Sequence, residues 1–428
     1  MSYLVDTAGA RRPRVLVVLD HYLPGHRAGG PIRTIAHLAE GLGQEFEFLV
    51  ATADRDLGDA GPFTSVPSGP WVTVGNASVV YLPRRARTLR GWRRVLREVP
   101  FDVLYLNSVF SRNTIRILVL RALGWCPARP VLLAPRGELS PGALGLKPLR
   151  KRAYLRVARL AGLFRGLIWR ASTEVERGDV LDVLTRYPDP LAWWVAAPRD
   201  RVYAGVELAR LRPAPAGPVD KQPGRADLVF LSRITRKKNL DYALRVLQKV
   251  AGRVHLAIVG PAEDRDYWEA CRALIARLPP NVTVAYRGAV DHEAVPGVFA
   301  AHHLFLFPTR SENFGHVIVE ALCAGCPVLV SDQTPWRDLE RQQAGWDLPL
   351  DAPDAYRDAV ERVVAMDAVE MGRWSNGAAA LGRRISEDPW ALETNRQLLR
   401  LALGMSGPAA VWQNNGSDPA APSEERAP

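Results

Sequence analysis

The chain has 428 residues, too long for one ordinary domain and suited to two of roughly 200 each. With 47% hydrophobic and 24% charged residues it has the material for real cores, which excludes an intrinsically disordered chain. The net charge of +11 rests on arginine, since only six lysines occur, and such an excess favours anionic partners: nucleotide phosphates, acidic lipid or nucleic acid.

Cys126, Cys271, Cys323 and Cys326 are too few and too scattered for a disulfide framework, so a reducing cytoplasm is the expected setting. Cys323 and Cys326 form a C-x-x-C, which reads either as a redox or metal pair or as small residues ending a helix before a tight turn. Arg11-Arg-Pro-Arg14 precedes an apolar run of only five residues, Val15 to Leu19, a buried strand and not a signal-peptide core. No apolar stretch approaches the roughly 18 residues of a membrane span.

In chain order, strand Arg14 to Leu19 leads through Asp20 to Thr34 into an amphipathic helix ending near Leu42. Gly29 and Gly30 before Pro31 make a glycine-rich turn that opens this helix, a cradle for phosphate or a loop without ligand. The turn is not G-x-G-x-x-G, which argues against a nicotinamide cofactor. Strands at Phe46 to Ala51, Trp71 to Val74, Ser78 to Leu82, Val103 to Leu106 and Val131 to Ala134 alternate with helical stretches, so the first half reads as a doubly wound α/β sheet. Arg136 stands in a turn-rich segment at the end of the last of these, with Glu138 as a possible ion-pair partner.

Two basic stretches, Arg84 to Arg97 and Lys147 to Arg165, read either as surfaces for acidic lipid or as solvated faces. On the first reading Trp92, Phe164 and Trp169 are expected at headgroup level. No nucleic-acid-binding module surrounds these arginines, so nucleic acid is not an expected partner.

Residues 208–227 hold four prolines without periodicity and read as an interdomain linker. The second half restarts with strand Leu228 to Leu231, then Ser232 to Leu240 and a helix through Val250. Arg233, Arg236, Lys237, Lys238 and Arg245 crowd one strand end, which costs energy unless an anion shares the site. Strand Val254 to Val259 ends at Gly260, helix Asp266 to Leu278 follows, strand Val282 to Tyr286 ends in Arg287-Gly-Ala-Val290, and a helix spans Ala294 to His302.

Next come strand Leu304 to Phe307, a polar loop with Glu312, a helix from Phe314 to Ala324 and strand Val328 to Val330. Asn313 is the expected N-cap, Gly315 admits a close ligand, and the amides of Phe314, Gly315 and His316 point outward for a phosphate. Glu312 and Glu320 are acceptor-only carboxylates that call for hydroxyl donors, so a sugar nucleotide fits both features. Helices at Pro353 to Met366 and Trp390 to Leu403 close the fold, and residues 405–428 read as a disordered tail.

Glu312 and Glu320, with seven residues between them and Phe314-Gly315 after the first, resemble the paired-glutamate signature of retaining glycosyltransferases of family 4. Arg233 with Lys238 and the Gly29-Gly30 loop extend the resemblance, which points toward enzymes of bacterial capsule, exopolysaccharide and O-antigen pathways. The resemblance implies a GT-B fold: two Rossmann-like domains facing a cleft, residues 1–207 for the acceptor and 228–388 for the donor, and a helix at 389–404 crossing back. It also implies a UDP- or GDP-linked sugar as donor and a glycan or polyprenyl-diphosphate-linked acceptor, with an acidic membrane surface as a further partner.

On this reading Arg233 and Lys238 grip the diphosphate and Glu312 holds the donor sugar. Arg287 to Val290 lie near base and ribose, Glu320 takes ribose hydroxyls, and Gly260 is a further donor-binding position at its strand end. Gly29, Gly30, Asn313, Phe314, Gly315 and His316 face the donor. Arg136 stands where many relatives carry a catalytic-site histidine, a departure from the family pattern. No cofactor and no metal are expected: Asp54-Arg-Asp56 and Asp264-Arg-Asp266 have the D-x-D pattern, but each encloses its own counter-charge. Retention proceeds through a glycosyl-enzyme or by front-face attack, and the family leans to the second. A GT-B sugar-nucleotide epimerase and a non-catalytic nucleotide-sugar-binding protein are the alternatives.

Overall fold

The computed structural model describes residues 11–145, 147–187, 202–207 and 220–405. They fall into two compact units, one within Met1–Leu208 and Trp390–Gln413, the other within Ala209–Pro389.

The first unit holds strands β1 (Arg14–Val18), β2 (Glu47–Ala53), β3 (Trp71–Val74), β4 (Ala77–Leu82), β5 (Val103–Asn107), β6 (Val131–Ala134), β7 (Leu167–Ala171) and β8 (Val202–Ala204). Its helices are α1 (Gly30–Leu42), α2 (Leu89–Glu98), α3 (Arg112–Ala122), α4 (Pro141–Gly145), α5 (Pro148–Leu160) and α6 (Glu174–Arg186). The strands order as β3-β4-β2-β1-β5-β6-β7-β8, parallel except for the β3 edge. The near-continuous apolar runs of β1, β5 and β6 suit strands covered on both faces. One face packs Trp92 and Leu96 of α2, Ile117 of α3, Leu155 of α5 and Val180 of α6. The other packs Ile32, Ile35 and Leu38 of α1.

The second unit is a six-stranded parallel sheet of β9 (Arg225–Leu231), β10 (Arg253–Val259), β11 (Val282–Gly288), β12 (Leu304–Phe307), β13 (Val328–Ser331) and β14 (Gly345–Leu348). The order is β11-β10-β9-β12-β13-β14. Helices α7 (Leu240–Leu247), α8 (Arg265–Ile275), α9 (Val295–Ala300), α10 (His316–Cys323), α11 (Pro353–Ala365) and α12 (Ala368–Ser386) accompany it. The chain builds outward from β9 through β10 to β11, then returns to build outward from β12 through β13 to β14, so the winding reverses between β9 and β12. A crevice at such a reversal, beyond the carboxyl ends of the strands, is where open α/β sheets bind ligands. In the first unit the same reversal falls between β1 and β5.

Helix α13 (Pro389–Ala402) belongs from Trp390 onward to the first unit, where Ala391, Leu398, Leu399 and Ala402 join the core beneath α1. Asn395 Nδ2 donates to the Val206 carbonyl at 2.8 Å, and Thr394 Oγ1 accepts the Val206 amide at 3.2 Å.

Several expectations are corrected. The three aromatics expected at headgroup level are core residues, with Trp92, Phe164 and Trp169 exposed by only 0%, 4% and 2%. Trp92 spends its Nε1–H on Asn113 Oδ1 at 3.0 Å. The helix expected from Phe314 starts two residues later, because Gly315 has φ 82° and cannot be helical. The strand read from Leu228 begins at Arg225. Helix α12, with 19 residues, is not apparent in the apolar pattern of the sequence. The proline-rich stretch at 208–219 and the tail at 406–428 lie outside the described residues.

Candidate functional site

The second sheet's reversal point is built by the loops after β9 and β12. After β9 the chain turns through Lys238 and Asn239, whose φ of 64° places it in the left-handed region that glycine or asparagine tolerates. Asn239 is locked there: its Nδ2 donates to the Pro308 carbonyl at 2.9 Å and its Oδ1 accepts from Arg310 Nε at 3.0 Å. The two loops are thereby tied together. Lys238, 9% exposed, donates from Nζ to Glu312 Oε2 and lies 5.1 Å from the Phe307 ring. Burial pushes the Glu312 carboxyl up, but Lys238, with Lys237 beside it, overrides this and holds the group below the usual carboxylate range.

Gly315 follows as N-cap of α10. A side chain there would meet Ile318 Cδ1 at 2.8 Å and Glu312 Cγ at 3.1 Å, in a backbone conformation that side chains already disfavour. The cap is therefore Gly315 and not Asn313. Phe314 is buried against Trp336, ring centroids 5.2 Å apart, and its carbonyl accepts Trp336 Nε1–H at 2.6 Å. This leaves His316 to open the helix at the strand edge, with Glu320 buried one turn on, 5% exposed.

Along the same edge, Gly260 at the end of β10 has φ 134°, and a Cβ there would lie 1.9 Å from the Ser232 carbonyl, so this glycine is demanded by strand packing. Its amide donates to the Gly288 carbonyl at 2.7 Å. Arg287, near the end of strand β11, is exposed, and Val290, two residues past its end, is half-buried. Thus Arg233, Lys238, Gly260, Arg287, Val290, Asn313 to His316 and Glu320 all gather, with Glu312, at the carboxyl edge of one sheet or in the helix that leaves it.

The crowded cations are matched by carboxylates of the protein itself. Arg233 pairs with Glu263 at 3.2 Å, Arg236 with Asp264 at 3.7 Å and Arg245 with Asp241 at 2.7 Å, each partner coming from a neighbouring turn or helix. Like-charge repulsion is therefore no argument for an anion here; the position of Lys238 and Arg233 at the reversal point is. Glu263 and Asp241 were not singled out in the sequence, since their partners lie 30 residues away or are masked by the charge run.

In the first unit, Gly29 caps α1 at φ 76° and Gly30 opens it with Pro31 in the first turn. What shapes this loop is Asp56, whose carboxylate accepts the amides of His26 at 2.9 Å, Arg27 at 3.2 Å and Leu57 at 2.7 Å. Asp54 meets Arg55 at 2.9 Å and Ser68 at 3.4 Å. Asp264 caps α8 through the Tyr267 amide at 3.0 Å. Among the described residues no cluster of three His, Cys, Asp or Glu has the arrangement of a metal site. The C-x-x-C cysteines are buried with raised thiol pKa values, Cys323 against Ser386 Oγ at 3.1 Å.

Arg136 is not paired with Glu138. Its Nη1 donates to both Glu207 oxygens at 3.2 Å, and Nε and Nη2 donate to Asn107 Oδ1 at 3.0 and 2.6 Å. Arg170 shares Glu207 and reaches Asn395 Oδ1 of α13 at 3.0 Å. The guanidinium of Arg136 is thus committed to a buried network that ties strand ends to the returning helix. Glu207 had no sequence signal, because its partners lie 71 and 37 residues away.

Residues 217–379 match the family model described as Glycosyl transferases group 1. An uncharacterized 41.2 kDa protein in the cps region of Klebsiella pneumoniae is 30% identical over 250 residues, 56% of this chain and 62% of that protein. The chain spans 35 to 62% of the length of the first curated relatives it matches. Among solved structures, sucrose-phosphate synthase of Thermosynechococcus elongatus superposes with TM-score 0.67 at 17% identity, covering 92% of this chain and all of that one. Anabaena HepE in complex with UDP and glucose superposes with TM-score 0.63 at 16% identity, covering 91% of this chain and 99% of that one. The fold is GT-B, with two Rossmann-like domains.

Proposed function

We propose, for a chain that carries a glycosyl transferases group 1 domain on the GT-B fold, that it is a retaining, metal-independent transferase of the family 4 type. Its donor is a UDP- or GDP-linked sugar and its acceptor a glycan or a polyprenyl-diphosphate-linked saccharide of bacterial surface polysaccharide synthesis. The observation that carries this reading is the Lys238 to Glu312 contact at the winding reversal of the second sheet, flanked by Arg233 and the glycine-started helix α10. A cation beside a carboxylate at that edge suits a ligand with an anionic diphosphate and a hydroxylated sugar. The UDP complex of the HepE structure and the cps-region relative support the donor and pathway classes.

In the proposed reaction the bond between the anomeric carbon and the diphosphate oxygen breaks while the acceptor oxygen attacks from the same face. The departing diphosphate takes the acceptor's proton. Lys238 and Arg233, with the positive end of the α10 dipole, stabilise the charge that develops on it, so two side-chain cations do the work of a metal. Glu312 holds hydroxyls of the donor sugar, and the buried Glu320 those of the ribose. Work on a lipid-linked acceptor places the enzyme in the cytoplasm, at the inner face of an acidic membrane. Among the described residues no helix is long and apolar enough to cross one.

A thermal-shift panel of UDP- and GDP-sugars tests the donor assignment, because a ligand at ~100 times its dissociation constant stabilises the fold by about 2.7 kcal/mol. One nucleotide class is expected to raise the melting temperature, and a flat panel would overturn the reading. Product analysis with donor alone separates transfer from epimerisation.

A further inference from the structure

Outside the residues assigned above to the donor, Glu138 of the first unit is held by several bonds. It follows β6, one strand from the reversal point of the first sheet, and its carboxylate accepts Ser108 Oγ–H at 2.6 Å, the Phe110 amide at 3.1 Å and also the Val109 amide, all from the loop after β5, which leaves about one acceptor position. An ionised carboxylate offers about four acceptor positions, so capacity remains. The residue is half-buried. It forms no ion pair among the described residues: the nearby Lys151 Nζ donates to the Ala143 carbonyl at 2.7 Å and lies 4.9 Å from the Phe110 ring. Burial raises the Glu138 carboxyl pKa and lowers that of the Lys151 ammonium, the cost of keeping two charged groups here without direct contact.

Two further features point to a ligand. The Tyr154 hydroxyl beside Glu138 is buried and has no hydrogen-bond partner among the described residues, while its ring packs edge-on to Phe110 at 5.6 Å. The backbone that presents the group is strained, with Ser108 at φ 70° and Arg136 at φ 62°, each a non-glycine residue in the left-handed region. Arg136 is held so by its bonds to Asn107 and Glu207, and the Gly137 amide by Glu176. The fold thus fixes a carboxylate, an amine, a phenol and an aromatic ring around one spot whose hydrogen-bonding capacity the protein itself does not use up.

We propose that Glu138 receives hydroxyls of the saccharide acceptor, in a subsite completed by Ser108, Phe110, Lys151 and Tyr154, and so sets acceptor specificity. This rests on the transferase reading above. The ligand class is a neutral polyhydroxylated ring: Glu138 accepts from its hydroxyls, Lys151 and Tyr154 donate to its oxygens, and Phe110 covers apolar C–H surface.

The probe is a set of methyl glycosides of glucose, galactose, mannose and N-acetylglucosamine, titrated by saturation-transfer NMR against the wild-type chain, Glu138→Gln and Tyr154→Phe. UDP and GDP are titrated in parallel on the same proteins. Gln can keep its one carbonyl oxygen on the Phe110 amide and donate from Nε2 to the Ser108 hydroxyl, which can turn to accept, and Phe removes only an unpartnered hydroxyl, so both variants are expected to melt near the wild-type temperature. At least one glycoside is expected to bind the wild type, with a tenfold loss in Glu138→Gln, a threefold loss in Tyr154→Phe and nucleotide affinity within twofold throughout. Absence of glycoside binding by the wild type, or equal binding by all three proteins, would overturn the subsite. Failure of the transferase reading shows instead in the other titration, as no nucleotide binding by any of the proteins.

Discussion

Lys238 and Glu312 form a largely buried pair, so each is a stability determinant as well as a candidate ligand. Removing one partner of a buried pair leaves an uncompensated charge and costs about 3–5 kcal/mol. Lys238→Ala is therefore expected to lower the melting temperature and to abolish stabilisation by nucleotide, whereas Lys238→Ala with Glu312→Ala should unfold less readily than Lys238→Ala alone. A double-mutant cycle by denaturant titration checks this, and additive losses would mean the two side chains do not act as a pair. The sign of the pH dependence follows: the folded Glu312 carboxyl lies below its ordinary value, so its stabilisation is present above the unfolded carboxylate range and is lost as pH falls through the folded value. At this scale the sequence was informative where residue types are close in the chain. The Arg233 to Lys238 spacing and the Glu312 loop were visible because each sits beside its own strand end. Glu207, and the loop-holding role of Asp56, were not, because a carboxylate's partners are fixed by which strands become neighbours, and strand order is not written locally.

Elements with strong periodicity were legible and those without it were not. The buried runs of β1, β5, β6 and β12 and the amphipathic faces of α1 and α13 stand out, while α12 reads Ala-Val-Glu-Met-Gly-Arg-Trp-Ser-Asn-Gly-Ala and hides its stripe among small residues. Gly382 explains part of that composition: a Cβ there would lie 2.5 Å from the Cys323 amide, so α12 packs on α10 almost at backbone contact. Gly382→Ala is expected to destabilise by about 1–3 kcal/mol through overpacking, measured by urea unfolding. A pH effect belongs to β12. Its neighbour His303 accepts the Asp227 amide of β9 on Nδ1 at 2.8 Å and is buried at 1% exposure, and burial holds its pKa below the ordinary 6.5. The unfolded chain takes up a proton first as pH falls below about 6.5, so this stabilisation is present above that value and lost beneath it. His303→Asn keeps an acceptor for the amide without titrating; the loss of stability between pH 7.5 and 5.5 is expected to be smaller in that variant, and an equal loss would assign the effect elsewhere.

At the scale of the whole first unit, the layer formed by α2, α3 and α5 packs Trp92, Ile117 and Leu155 inward on one face of the sheet and presents basic and apolar groups outward. Helix α5 carries Arg150, Lys151, Arg152, Arg156 and Arg159 and no acid. Its outward residues include Leu149, Val157 and Leu160, exposed by 83%, 62% and 67%. These recur at helical spacing, and Arg150, Arg152 and Arg156 beside them are exposed too. An apolar stripe rimmed by arginine is the pattern of a helix that lies in an acidic lipid interface. The residues able to enter the headgroup layer are thus aliphatic side chains of α5 and not the buried tryptophans. Each basic residue near such a surface contributes roughly 1 kcal/mol, screened over a Debye length of about 10 Å at 0.1 M salt. Full burial of a leucine or valine adds about 1.5–3 kcal/mol that salt does not screen. Co-sedimentation with acidic liposomes is therefore expected at low salt and not with neutral ones. Replacing Arg84, Arg85, Arg93 and Arg94 by Gln should lower only the salt-sensitive part of the binding, and replacing Leu149, Val157 and Leu160 by Ser should remove what persists at high salt. Equal binding to neutral and acidic vesicles, or none to either, would leave this layer as an ordinary solvated face.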